Sequence, residues 1–240
     1  MTSRLATTIS IALTAAIVTT ITATPAVAAP PAVAAPPAVA APLAVAAPPS
    51  LEKLEQALIT AGEAPAGYLF SSRTVMAASA AVAAALSRAA AAVDPCKDPG
   101  TTAEPASSGS AAITFRKGKD GPFLAEQITA VGNAAARAVV AQYQTILAKC
   151  PVINGEEGKT TFSAWASPQA GDASIGFLTT VQEKGKTTPA GSSSTAVVVH
   201  GDVLAVFTNL NYATGGNATN TTELTELVKA GAAKILKTLP

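Results

Sequence analysis

Charge is missing from the start of this 240-residue chain: between Arg4 and Glu52 no Asp, Glu, Lys or Arg occurs. Histidine is reduced to one residue, His200, and cysteine to two, Cys96 and Cys150. Aromatic residues make up 4% and charged residues 13% of the chain, with a net charge of +1. Each shortage excludes something. One His and two Cys do not build a zinc site, and no carboxylates stand at calcium-loop spacing. Without a basic patch, nucleic acid is not an expected partner. No Gly-x-Ser-x-Gly elbow and no complete phosphate-cradling loop occurs. The expectation is a chain with no catalytic residues, no metal and no cofactor.

What is present at the N-terminus is a secretory pattern. Arg4 precedes an apolar, threonine-rich run over residues 5–23, and Ala26-Val27-Ala28 follows before Ala29 and Pro30. A basic start, an apolar run and a small-x-small site mark a signal peptide over 1–28, with cleavage expected between Ala28 and Ala29, although Ala-Val-Ala recurs at 32–34, 38–40 and 44–46 and offers alternative sites. The alternative is an uncleaved anchor, since the run approaches the ~20 residues a span needs. No stop-transfer cluster follows it. No cysteine lies near the cleavage region, which excludes a lipid anchor there. The protein is expected outside the cytoplasm, secreted or wall-associated, with no stable membrane span after cleavage.

Residues 25–48 read PAVAAP three times and then LAVAAP, four copies of a six-residue unit. Proline recurs too often for a helix, and no copy has a face to bury. The tract left after cleavage, with residues up to 50, reads as a disordered, semi-rigid spacer.

The remaining residues, 51–240, suffice for one domain. An even cysteine count in an exported chain suggests a Cys96–Cys150 disulfide. It would close a loop of about 55 residues, worth roughly 4 kcal/mol in the chain-entropy model. Helices are predicted at Leu51–Ala61, 75–93, Ala130–Lys149 and 221–238. In the third, Ile128, Val131, Ala135, Val139, Tyr143, Ile146 and Cys150 share a stripe. In the last, Leu224, Leu227, Val228, Ile235 and Leu239 do so, with Asn220 and Glu223 as a capping box. Strands are predicted at 68–70, 111–116, 122–129, 160–167, 173–184, 195–200 and 203–209, the last two joined by Gly201-Asp202. Ser192-Ser193-Ser194 reads as a loop. Strands that follow one another in pairs argue for an α+β domain, an antiparallel sheet covered by helices.

Individual residues add little chemistry. His200 and Asp202 share one tight turn, which is poor geometry for a Ser-His-Asp relay. Glu156-Glu157 reads as a solvated pair. Asn217 and Asn220 match the glycosylation acceptor pattern and read as a polar loop and helix cap. Trp165, Tyr68, Tyr143 and Tyr212 read as packing residues before ligand-stacking ones.

Three blocks carry a resemblance. Ala57-Leu58-Ile59-Thr60 followed by Ala64-Pro65-Ala66-Gly67-Tyr68 is one. Pro168-x-x-Gly171-Asp172-x-Ser174-x-Gly176-Phe177 is the second, and the valine-rich run from Ala196 to Val206 around His200 is the third. Together, with the helix ending at Cys150, they resemble the actinobacterial sensor-domain family typified by the extracellular domain of the mycobacterial kinase PknH. That family typically carries two disulfides, and this chain can form one. The resemblance implies an α+β extracellular domain with a cleft, binding an unknown small molecule and performing no catalysis. The expected protein is therefore a monomeric secreted ligand-binding or sensor-like domain. A cell-wall structural or interaction protein, its partner a cell-wall component, is the alternative. A hydrolase built on His200 is a more remote one.

Overall fold

The computed structural model describes residues 47–77, 96, 108–119, 121–211 and 221–239. The signal region with Ala28 and Ala29, the repeats up to residue 46, most of the alanine-rich 75–93 segment, Tyr212, Asn217 and Asn220 lie outside them.

Eight strands form one antiparallel sheet. In chain order they are β1 (Leu69–Met76), β2 (Gly109–Arg116), β3 (Phe123–Ala130), β4 (Val152–Asn154), β5 (Gly158–Ala164), β6 (Ala173–Glu183), β7 (Gly191–His200) and β8 (Val203–Asn211). Their order across the sheet is β1-β2-β3-β8-β7-β6-β5-β4. Among the described residues three α-helices accompany it: α1 (Leu51–Ala57), α2 (Asn133–Lys149) and α3 (Thr221–Thr238). This is the α+β arrangement that paired strands predict, an antiparallel sheet with helices packed on it.

The period of two sorts each strand between the two faces. Ala196 and Val198 of β7 point to a core shared with α1 and α3, while Val197 and Val199 point to a second core under α2. The first core takes Ala111, Ile113 and Phe115 from β2, Leu124 and Ile128 from β3, and Ala205 and Phe207 from β8. The second takes Phe162, Phe177 and Leu204 with Ala136, Val140 and Ile146 of α2. Tyr143 of α2 stacks on Phe177 with ring centroids 4.3 Å apart. Both faces of the central strands are buried, so the second half of β7, Ala196 to Val199, reads as a continuous apolar run rather than an alternating one.

Local chemistry sets the helix ends. The Ser50 side chain accepts the Lys53 N–H at 3.3 Å and caps α1, with Glu52 in the favourable first turn. α1 stops at Ala57, four residues short of the predicted end. Leu58 turns extended, and the Ile59 N–H is taken by Glu126 of β3 at 2.8 Å. A short 3-10 turn follows at Ala61–Glu63. α2 starts at Asn133 rather than Ala130. Its first N–H groups are satisfied from the β7–β8 turn: Asn133 donates to Asp202 Oδ1, and Val131 and Gly132 donate to the Asp202 carbonyl, each at 2.9 Å. Ile128 therefore belongs to β3 and not to the helical stripe, which shifts to Ala136, Val140 and Ile146. α3 matches its predicted span, and Leu224, Leu227, Val228, Ile235 and Leu239 are all buried. Each such side chain contributes on the order of 2 kcal/mol when fully removed from water.

Four further expectations change. Val75 and Met76 are the end of β1, paired with Ala111 and Ser110, and not the start of a helix. Val152–Asn154 forms an additional edge strand on β5, with Glu156 and Glu157 exposed between the two. β5 ends at Ala164, where Trp165 turns to pack against the first core. Ser192–Ser194 is not a loop but part of β7, each serine in register with β6 and β8. Cys96 is disulfide-bonded to Cys150 at the end of α2, with Cα atoms 5.6 Å apart.

Candidate functional site

The side chains that the sequence marks as candidates for chemistry are mostly occupied with structure. His200 ends β7, and its Nε2 lies 2.7 Å from the Leu239 carbonyl. Asp202 caps α2, so the imidazole is bonded to the end of α3 and not to this carboxylate. Asp172 accepts the Gly201 N–H at 2.8 Å and fastens the same turn. Among the described residues, no three His, Cys, Asp or Glu side chains stand together to hold a metal ion. Among them, too, no helix is long and apolar enough to cross a membrane.

Polar groups do gather on the first face of the sheet. The register lays out successive cross-strand rows there. One runs Ile113–Glu126–Phe207–Ala196–Gly176, and the next runs Phe115–Leu124–Asn209–Ser194–Leu178. The row beyond pairs Asn211 with Ser192 and Ser192 with Thr180. Glu126 and Ser194 are 0% exposed and Asn209 is 1% exposed. The hydroxyls of Ser192 and Ser194 and Oε1 of Glu126 are buried, with no hydrogen-bond partner among the described residues. A buried hydroxyl or carboxylate oxygen left unpaired costs about 1–3 kcal/mol or more. Buried polar groups in native proteins are ordinarily bonded to protein or to ordered water.

Two close approaches shape this face. Gly231 of α3 lies over Phe207 and Glu126, and a Cβ there would stand 2.7 Å from Glu126 Oε1. Gly176 of β6 lies under the segment that leaves β5, and a Cβ there would meet Ser167 at 2.6 Å and the Trp165 carbonyl at 2.7 Å. Trp165 is thereby held partly buried beside the row that ends in Gly176.

At the end of the sheet where β2 turns into β3, a charged group ties α3 down. The Tyr68 hydroxyl donates to Glu223 Oε2 at 2.6 Å, and Lys117 Nζ lies 2.7 Å from Glu223 Oε1 and 5.6 Å from the Tyr68 ring centroid. Burial raises the Glu223 carboxyl, but the Lys117 and Tyr68 hydrogen bonds outweigh it and hold it below its ordinary value. Burial and the bond to Glu223 push the Tyr68 hydroxyl well up. Every member of this trio has a partner, so it reads as a clasp.

Sequence reasoning found none of Glu126, Ser192 or Ser194. Glu126 left a signal: it alternates in phase with Leu124 and Ile128, which puts a carboxylate on an inward face. The serines left none, since a short Ser run after Gly carries no period.

The arrangement defines an α+β sheet domain with a polar patch inside one of its two cores. No family model matches the chain, and no curated protein matches it. Among solved structures, it is similar to the extracellular domain of PknH from Mycobacterium tuberculosis, with a TM-score of 0.50 and 13% identity over 80% of this chain and 98% of that one. The likeness is one of fold.

Proposed function

We propose that this chain is an exported, sensor-like binding domain without catalytic activity, belonging with the extracellular sensor domains it resembles. The observation that carries the reading is the pair of buried hydroxyls, Ser192 and Ser194, that the described protein leaves unbonded beside Asn209 on the first face. Apolar walls with a few convergent polar groups are the ordinary composition of a small-molecule site. The neutral donors and acceptors here suit an uncharged polar ligand better than an anion or a metal. The fold likeness to an extracellular domain supports the same reading, as does the disulfide.

A screen of uncharged polar fragments by amide chemical-shift perturbation tests the proposal. Shifts should cluster at Ser192, Ser194 and Asn209. Shifts confined to exposed loops, or none at millimolar fragment, would remove the patch from consideration.

The Pro/Ala repeats motivate a second reading, in which the chain is held in the cell wall by residues 25–48. Deleting them should release the protein from wall fractions. Unchanged fractionation would end that reading.

A further inference from the structure

Glu126 belongs to the same face but is built differently from the serines. It is fully buried on β3, and its Oε2 accepts the Ile59 N–H at 2.8 Å. Oε1 is enclosed with no hydrogen-bond partner among the described residues. Ile59 lies two residues beyond α1, in the stretch that carries the chain from that helix to β1. The same stretch is held on its outer side by a second carboxylate. Glu63 Oε2 accepts the Thr60 N–H and hydroxyl at 2.7 and 2.8 Å and the Lys234 ammonium of α3 at 2.8 Å. So one short segment, Leu58–Glu63, is fastened inward by Glu126 and outward by Glu63.

We propose that Glu126 is a proton-operated fastener between β3 and the Leu58–Glu63 segment, closed when its carboxyl is neutral and loosened when it ionises. A neutral carboxyl keeps the Ile59 hydrogen bond with no charge in the core. An ionised one sets a full charge in apolar surroundings against a single N–H donor, a costly state. The available relief is to release the Ile59 amide and let water reach the carboxylate.

The surrounding groups set the balance. The Ile59 N–H and, from α3, Lys234 draw the carboxylate toward ionisation, and from the 3-10 turn Glu63 opposes it. Glu55 of α1 and Arg73 of β1 pair with each other at 3.3 Å, partly exposed. Phe207 of β8 and Ile113 of β2, the cross-strand neighbours, carry no charge. Burial dominates, and the Glu126 carboxyl is pushed up to about 7. The fastener therefore changes state near neutral pH. It operates whether or not the serine patch binds a ligand.

Amide hydrogen exchange at Ile59 and Thr60, corrected for intrinsic base catalysis and followed from pH 5 to 8 on the purified chain, tests it. With a carboxyl at about 7 when closed and an ordinary one when open, the opening constant should rise roughly seventy-fold across that range. Amides in the middle of β7 should not follow. In Glu126→Gln the opening constant at Ile59 should be flat with pH. A flat profile in the unsubstituted protein, or the same rise in E126Q, would overturn the proposal. Should E126Q fail to fold, carbon-13 titration of the Glu126 carboxyl in the unsubstituted protein decides. A midpoint near neutrality that coincides with the exchange transition supports the fastener, and a midpoint in the ordinary carboxylate range overturns it.

Discussion

The two faces of the sheet are packed to different standards. Beneath α2, Phe162, Phe177, Val197, Val199 and Leu204 meet Ala136, Val140 and Ile146, and all of these are apolar. Beneath α1 and α3 the core is larger, yet it encloses a carboxylate, the hydroxyls of Ser174, Ser192 and Ser194, and an asparagine. Apolar groups in place of the unbonded hydroxyls would cost no stability, since a buried polar group without a partner lowers it. The second face is thus a structural core. The first face carries groups that stability alone does not explain, and it is there that the functional reading rests.

Four outcomes break or sharpen that contrast, taken from the largest effect down. Replacing both Cys96 and Cys150 by Ser should destabilise the domain by roughly 4 kcal/mol, read by denaturant unfolding, since the bond closes a loop between residues 54 apart in sequence. A much smaller loss would mean that the unfolded chain is constrained by other means. Phe177→Ala removes a ring that is 3% exposed and stacked on Tyr143, and it should cost about 3 to 4 kcal/mol. If the second face is purely structural, this substitution should leave fragment shifts at Ser194 unaltered wherever the protein remains folded.

The third concerns pH. Glu126 has a carboxyl raised from an ordinary 4.5 to about 7. The folded state therefore holds this proton more tightly than the unfolded one. The stabilisation is present in full below about pH 4.5 and is lost as pH rises toward 7. The loss attributable to this group is on the order of 3 kcal/mol, and it should vanish in Glu126→Gln when unfolding is measured from pH 4.5 to 8. Glu63 works in the opposite sense. Its bond to Lys234 is the main cause of a value near 2, so its contribution is present above about 4.5 and is lost as pH falls toward 2. The fourth outcome is the smallest. Ser194→Ala removes a buried hydroxyl without a described protein partner, so the unliganded domain should gain about 1 kcal/mol of stability, while binding at the patch should weaken. A loss of several kcal/mol would show that the hydroxyl is bonded within the fold.

How far the sequence led follows from where its periodicities were clean. The β7–β8 strand pair was legible because two β-branched runs flank Gly201-Asp202, and α3 because Leu224, Leu227, Val228 and Ile235 keep a helical step. β1 was mostly missed because it is an edge strand with every residue exposed and a shift in register between Phe70 and Ser72, so it shows no alternation. β4 is three residues long, too short for a period. The start of α2 was misplaced because its cap, Asp202, comes from a distant turn. For the same reason the candidate patch was illegible. Ser194 and Asn209 become neighbours only through the β7–β8 register, and burial of a serine is a property of the fold and not of its neighbours in sequence.

The central claim is that the first face binds a small, uncharged polar molecule through the β7 serines. Native mass spectrometry of the protein purified from its own culture medium tests it most directly. The account predicts a retained molecule that is released on denaturation and depleted in a Ser192→Ala, Ser194→Ala double substitution that remains folded. A bare protein mass together with no fragment binding at β7, or a retained molecule whose occupancy is untouched by the double substitution, would contradict it.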